Sequence, residues 1–128
     1  MKKDIKTIKI LHLYPEQMNI YGDWGNVLTL KKRSEWHGYN VQVIPYNPGS
    51  VLPTDVDIVI GGGGQDSGQT VIQEDLLRIG DDLKKLADHK VAMLMICGLY
   101  QLFGHFFQTK DGKRIQGIGL FDIETYAG

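Results

Sequence analysis

Residues 91–107 read VAMLMICGLYQLFGHFF. Six apolar residues run without a break, a single cysteine follows, and a glycine opens a second apolar stretch. The first run, 91–96, has the composition of a strand buried on both faces of a parallel sheet. The second, 98–108, returns its apolar residues at helical spacing and predicts a helix. Cys97 therefore belongs to a tight strand-to-helix turn.

Working outward, the same alternation recurs. Residues 8–14 (IKILHLY) predict a strand that stops at Pro15. Residues 26–36 (NVLTLKKRSEW) predict an amphipathic helix, with Val27, Leu30 and Trp36 near one face and Gly38 closing it. Residues 40–46 (NVQVIPY) alternate apolar and polar, and Pro45 suggests an edge strand. Residues 57–60 (DIVI) form a short apolar run that ends in four glycines. Residues 70–87 carry Val71, Ile72, Leu76, Leu77, Leu83 and Leu86 at helical spacing, with Gly80 as the expected kink or break. Residues 119–125 (GLFDIET) predict a last strand.

The order β-α-β-β-α-β-α-β predicts an α/β fold. It is a three-layer, open, mostly parallel and flavodoxin-like sheet with helices on both faces. The chain stops soon after a strand, without a final helix. An α/β sheet normally has both faces covered. The fold is therefore expected to be incomplete at the C-terminus, with oligomerisation or a missing segment covering that surface.

Composition narrows the function. The chain has 128 residues, enough for one domain and too few for two. Fourteen basic residues stand against fifteen acidic ones, so the basic footprint of a nucleic-acid binder is missing. No apolar run is long enough for membrane insertion, and the N-terminus lacks the features of a secretory signal. One cysteine excludes an intramolecular disulfide framework, and a cytoplasmic address is expected.

Cys97 is the most informative residue. Ligands bind at the C-terminal ends of strands in open α/β folds. The unpaired N–H groups of a helix N-terminus favour a thiolate. This is the arrangement of a nucleophile elbow. A buried structural thiol is the alternative reading of position alone.

The run Gly61-Gly62-Gly63-Gly64 also follows a strand. Without Cβ atoms its amides can approach a ligand closely, as a phosphate cradle or as donors to an oxyanion, or else the run is a plain turn. No Walker lysine follows, and the third glycine of a dinucleotide fingerprint is missing, so no nucleotide cofactor is expected. Both features follow sheet strands and fall on one edge of the sheet.

Gln101 lies one helical turn beyond Cys97, on the same side. The polar and aromatic stretch 14–26 reads either as a capping loop, with Asp23 or Asn26 as the helix cap, or as a binding loop. Of the four histidines, His12 falls in a strand, His37 at a helix end, His89 in a turn and His105 two turns along the helix from Cys97. None is well placed as a base for the thiol, and no pair has metal-ligand spacing.

Four segments resemble a known family. LYPEQMNIYGDWGNVLTLKKRSEWHGY (13–39), GGGGQDSGQ (61–69), ICGLYQLFG (96–104) and IQGIGLFDIETYAG (115–128) are similar, in register, to GatD-type glutamine amidotransferases. These belong to the CobB/CobQ-like branch of the class I enzymes. The resemblance implies a glutaminase subunit that hydrolyses glutamine. It would pass ammonia to a MurT-like, ATP-dependent Mur ligase partner that amidates the D-glutamate of lipid II in peptidoglycan synthesis.

On that resemblance Cys97 is the nucleophile and Gln101 contacts substrate. Gly63, Gly64 and the Gly98 amide match the oxyanion-binding positions. Leu99 stands where the class I elbow usually has glycine, with the expectation that its bulk crowds the substrate.

The family's catalytic histidine lies in a C-terminal region beyond residue 128. The chain is thus expected to be the N-terminal part of a single amidotransferase domain, covering 1–128, without turnover alone and prone to self-association. A cobyric-acid-synthase-like amidotransferase domain and a non-catalytic flavodoxin-like binding module remain as alternatives.

Overall fold

The computed structural model describes residues 5–18, 23–63 and 66–127. Four parallel strands, β1 (Thr7–Leu13), β2 (Asn40–Tyr46), β3 (Ile58–Gly61) and β4 (Ala92–Met95), form a sheet in the order β2-β1-β3-β4. Helix α1 (Asp23–Trp36) joins β1 to β2, α2 (Asp66–Asp88) joins β3 to β4, and α3 (Gly98–Phe103) follows β4. The expected edge position of β2 holds.

Strand alternation sorts the core into two layers. Ile10 and Ile60 point to one face and pack with Val27 of α1. Leu11, Leu13, Val59 and Met95 point to the other, against Ile72, Leu76, Ile79 and Leu83 of α2 and Leu99 and Phe103 of α3. Helices thus lie on both faces of a mostly parallel sheet, as the sequence predicts.

Four details differ from expectation. First, Trp36 does not share the inward face of α1 and is 78% exposed. Nine residues at about 100° each set it opposite the buried Val27. Second, α2 runs unbroken through Gly80. Ile118 packs against that position, and a Cβ there would stand 3.2 Å from its Cγ2. Third, β4 is an edge strand of this sheet, and Ala92 and Leu94 are exposed on the face that α1 covers elsewhere. A continuous apolar run does not distinguish a strand covered on both faces from one with a bare outer face.

Fourth, the helix after Cys97 ends at Phe103 rather than at residue 108. A second, three-stranded sheet follows: β5 (Phe106–Gln108), β6 (Arg114–Gln116) and β7 (Thr125–Tyr126), in the order β6-β5-β7. Of the expected strand 119–125 only Thr125 lies in a strand, β7. The cause is tertiary. The amides of Ile118, Phe121 and Gly119 donate to the carbonyls of Leu102 (2.9 Å), Phe103 (2.8 Å) and Gly104 (2.9 Å). Those carbonyls are thereby satisfied without a further helical turn.

Candidate active site

Register defines where the site lies. Leu13 pairs with Tyr46 and with Gly61, and Gly61 pairs with Met95. All four strands therefore end at one level. From β1 the chain goes to one side to make β2, and then returns across β1 to make β3. The switch point lies between the C-terminal ends of β1 and β3, the usual ligand crevice of such sheets. The glycine loop leaves β3 at this crevice, and Cys97 follows β4 immediately beside it.

Cys97 has φ 55 and ψ −114, is exposed, and occupies the N-cap position of α3. A non-glycine residue in this region is strained, at a cost on the order of 1–3 kcal/mol. The strain lets the chain reverse sharply from strand to helix while the thiol stays at the surface. The Cys97 carbonyl accepts the Gln101 N–H at 3.0 Å, closing the first turn.

The elbow is tied to the glycine loop by two backbone bonds. Ile96 N–H donates to the Gly61 carbonyl (3.0 Å) and Leu99 N–H to the Gly62 carbonyl (3.2 Å). The amide of Gly98, between them, has no hydrogen-bond partner among the described residues. It is the first amide after the thiol, the one that nucleophile elbows direct at an oxyanion.

The other expected site residues fall as follows. Gln101 is half-buried on α3, one turn from Cys97, and its side-chain amide makes no hydrogen bond among the described residues. Gly63 is buried in the glycine loop. Gly64 lies outside the described residues, as does the side chain of Asp23, the first residue of α1 and one of the two expected caps. Asn26 lies inside α1 and is not its cap.

Leu99 does not crowd the crevice. Its side chain is fully buried in the core under the elbow. A Cβ at Gly61 would overlap its Cδ1. The glycine at β3's end thus makes room for the leucine at the elbow.

None of the four histidines is bonded to the thiol. His12 is buried and stacks on Trp24 with ring centroids 5.7 Å apart. His89 Nδ1 lies 2.7 Å from the Lys85 carbonyl. His37 is exposed just past α1. His105 lies beyond the end of α3 rather than on it, with Nε2 2.9 Å from an Asp122 carboxylate oxygen.

Sequence reading missed a second polar centre on the same sheet edge. Asp75 of α2 is 7% exposed and accepts hydrogen bonds from the Tyr14 and Tyr46 hydroxyls, the Gly49 amide and Arg78. Burial works to raise its carboxyl, but those four donors outweigh it and hold it below the usual carboxylate range. The signal was present: Asp75 falls on the stripe of Ile72, Leu76 and Ile79, where a carboxylate needs partners.

A doubly wound α/β sheet with a strained, exposed cysteine at a strand-to-helix elbow defines a thiol-bearing member of the elbow-type α/β proteins. The CobB/CobQ-like glutamine amidotransferase domain matches residues 9–128, and the chain belongs to that family.

Two relatives carry the same description, lipid II isoglutaminyl synthase (glutamine-hydrolyzing) subunit GatD. The Staphylococcus aureus (strain N315) protein is 32% identical over 119 residues, 92% of this chain and 49% of its own length. The Streptococcus pneumoniae (strain ATCC BAA-255 / R6) protein is 38% identical over 119 residues, 92% of this chain and 46% of its own length. The chain spans about half the length of these curated relatives. Among the described residues, no helix is long and apolar enough to cross a membrane.

Proposed function

We propose that this chain is the N-terminal part, 1–128, of a single glutamine amidotransferase domain that hydrolyses glutamine through Cys97. The observation that carries the reading is the Cys97 elbow: an exposed thiol at φ 55, bonded through its neighbours to a glycine loop, in a chain of this family.

In this reading the Cys97 thiolate attacks the carboxamide carbon of glutamine. A new C–S bond forms, and the carbonyl electron pair moves onto oxygen. The Gly98 amide and the loop at Gly63 and Gly64 stabilise that oxyanion, and Gln101 holds the substrate. Collapse of the adduct breaks the C–N bond. The leaving nitrogen takes a proton and departs as ammonia, leaving a γ-glutamyl thioester. Water then attacks the thioester, releasing glutamate and regenerating the thiol. The proton transfers need a general acid and base, worth about 100- to 10,000-fold per step. In this reading a histidine from the half of the relatives that this chain does not span supplies them.

The ammonia goes to a MurT-like ligase subunit that amidates the D-glutamate of lipid II in peptidoglycan synthesis. This follows the two relatives, each described as a subunit of lipid II isoglutaminyl synthase. The remainder of the domain covers the bare face of β4. In its absence a second copy of the chain covers it.

The test is glutamine hydrolysis by the full-length protein. Cys97→Ala and Cys97→Ser are expected to abolish ammonia release with the circular dichroism spectrum unchanged. Retained hydrolysis in the alanine variant rejects the reading. A Cys97 that iodoacetamide labels but a glutamine-derived chloroketone does not favours a non-catalytic binding module instead.

A further inference from the structure

The strained turn at Cys97 has a counterpart across the crevice. Tyr14, the residue after β1, also has positive φ (53). It follows Leu13, the register partner of Gly61, so this turn forms the β1 side of the switch point and faces the glycine loop. Tyr14 is fully buried, and each of its polar groups is held. Its N–H donates to the Tyr46 carbonyl (2.8 Å), its carbonyl accepts the Met18 N–H (2.8 Å), and its hydroxyl donates to Asp75 Oδ2 (2.6 Å).

Asp75 collects further donors around that bond. The Tyr46 hydroxyl (2.8 Å), the Gly49 N–H (2.9 Å) and the Arg78 guanidinium (2.9 Å) all reach its carboxylate. Arg78 also donates to the Tyr46 hydroxyl oxygen and to the Ser50 carbonyl, each at 2.9 Å. One carboxylate thus joins the ends of β1 and β2, the loop after β2, and α2. Helix α2 is the element that follows the glycine loop. A strained turn persists only where its surroundings over-determine it, and such turns cluster at functional sites.

We infer that Asp75 is a positioning residue for the thiol site. Through the Tyr14 hydroxyl it holds the β1 wall of the crevice against α2, and so fixes the opening through which a glutamine-like substrate reaches Cys97. The inference rests on the glutaminase reading.

Tyr14 and Tyr46 provide the control. Each donates one hydroxyl to the same carboxylate oxygen, but only Tyr14 follows β1, the strand that pairs with β3 and its glycine loop. Tyr46 closes the outer strand β2. Tyr14→Phe and Tyr46→Phe each remove a tyrosine–Asp75 bond, and Tyr46→Phe removes the Arg78 bond as well, with different consequences for the site.

The experiment measures alkylation of Cys97 in the full-length protein by a glutamine-derived chloroketone and, in parallel, by iodoacetamide. Thermal melting follows the stability of each variant. Tyr14→Phe is expected to slow the chloroketone by about tenfold or more, since small misplacements around a reacting centre cost that much. Its iodoacetamide rate should stay at the wild-type value. Tyr46→Phe should lower the melting temperature while leaving the ratio of the two rates unchanged. Asp75→Asn, where it folds, should behave as Tyr14→Phe. Equal changes with both reagents, no change in either, or equal effects of the two phenylalanine variants on the rate ratio overturn the positioning role. A wild-type thiol with no preference for the chloroketone overturns the glutaminase reading itself, and the positioning role with it.

Discussion

Leu99 and Gly61 share one volume: the leucine side chain occupies the space that a Cβ at position 61 would enter. The Leu99 N–H also donates to the carbonyl of Gly62, the next residue along. The elbow and the glycine loop are therefore one packed unit, and the bulk at position 99 supports the turn from beneath.

This relationship makes the leucine at position 99 part of the core and not an obstruction that glycine would relieve. Leu99→Gly removes a fully buried side chain and is expected to destabilise the chain by about 2–5 kcal/mol, with further loss from glycine in a helix. Gly61→Ala forces a methyl against Leu99 and should cost about 1–3 kcal/mol. The double variant Gly61→Ala/Leu99→Ala should be less destabilised than the sum of the two alanine variants, because each removes the other's clash or void. Urea denaturation of the four proteins checks this. Strict additivity would mean that the two positions do not share the volume.

The backbone at Cys97 yields a second prediction. At φ 55 and ψ −114 glycine is at ease and alanine is not. The thiol is exposed, so replacing it sacrifices little burial. Cys97→Gly should therefore be more stable than Cys97→Ala by about 1 kcal/mol, even after the greater chain entropy of glycine in the unfolded state. Both variants lack the nucleophile, so the difference reads strain alone. Equal unfolding midpoints would remove strain from the account of the elbow.

The parts legible in the sequence were those that local chemistry decides. VAMLMI before a lone cysteine and a glycine marked the strand, the turn and the helix start. Pro45 marked β2 as an edge. The parts that were not legible depend on residues far apart in the chain. The end of α3 is set by amides from 118–121, which no local pattern announces. Gly80 looks like a helix breaker until Ile118 is found against it. Leu99 looked like an obstruction because its direction, inward, is fixed by the absence of a side chain at Gly61. Tyr14 and Asp75 are 61 residues apart, and their bond forms only once α2 packs across the ends of β1 and β2.

The tyrosines around Asp75 give a pH prediction. Burial, then the hydrogen bond to Asp75 and its negative charge, push the hydroxyls of Tyr14 and Tyr46 well above the ordinary tyrosine range. The folded state then keeps protons that the unfolded state releases near pH 10. Their stabilising contribution is full below that pH. It falls as pH rises further, by about 1.4 kcal/mol per pH unit for each tyrosine. Asp75 acts in the opposite sense. Its lowered carboxyl stabilises the fold above the ordinary carboxylate range and ceases to as pH falls below it. Stability should thus fall off at both ends of the scale. Tyr14→Phe should flatten the alkaline limb, and Asp75→Asn should flatten the acid limb. Urea midpoints measured from pH 3 to pH 11 test this, and an alkaline limb unchanged in Tyr14→Phe counts against it.

The bare face of β4 supplies the last prediction. Leu94 is 43% exposed, yet it pairs in register with Ile60, which is fully buried beneath α1. The apolar layer under α1 therefore continues past the edge of the helix onto Leu94. A layer of this kind attracts a second apolar surface, and an unpaired strand edge beside it adds backbone donors and acceptors. The isolated 128-residue chain is expected to self-associate in a concentration-dependent way. Leu94→Lys sets a charge in that layer and should shift the chain toward monomer, with little change in stability because the side chain already meets solvent. Cys97, which belongs to the turn at the end of the strand, should keep its iodoacetamide rate. Sedimentation velocity over a range of concentrations, beside thiol labelling, measures both. A Leu94→Lys chain that associates as strongly as the wild type would mean that its copies meet through another surface.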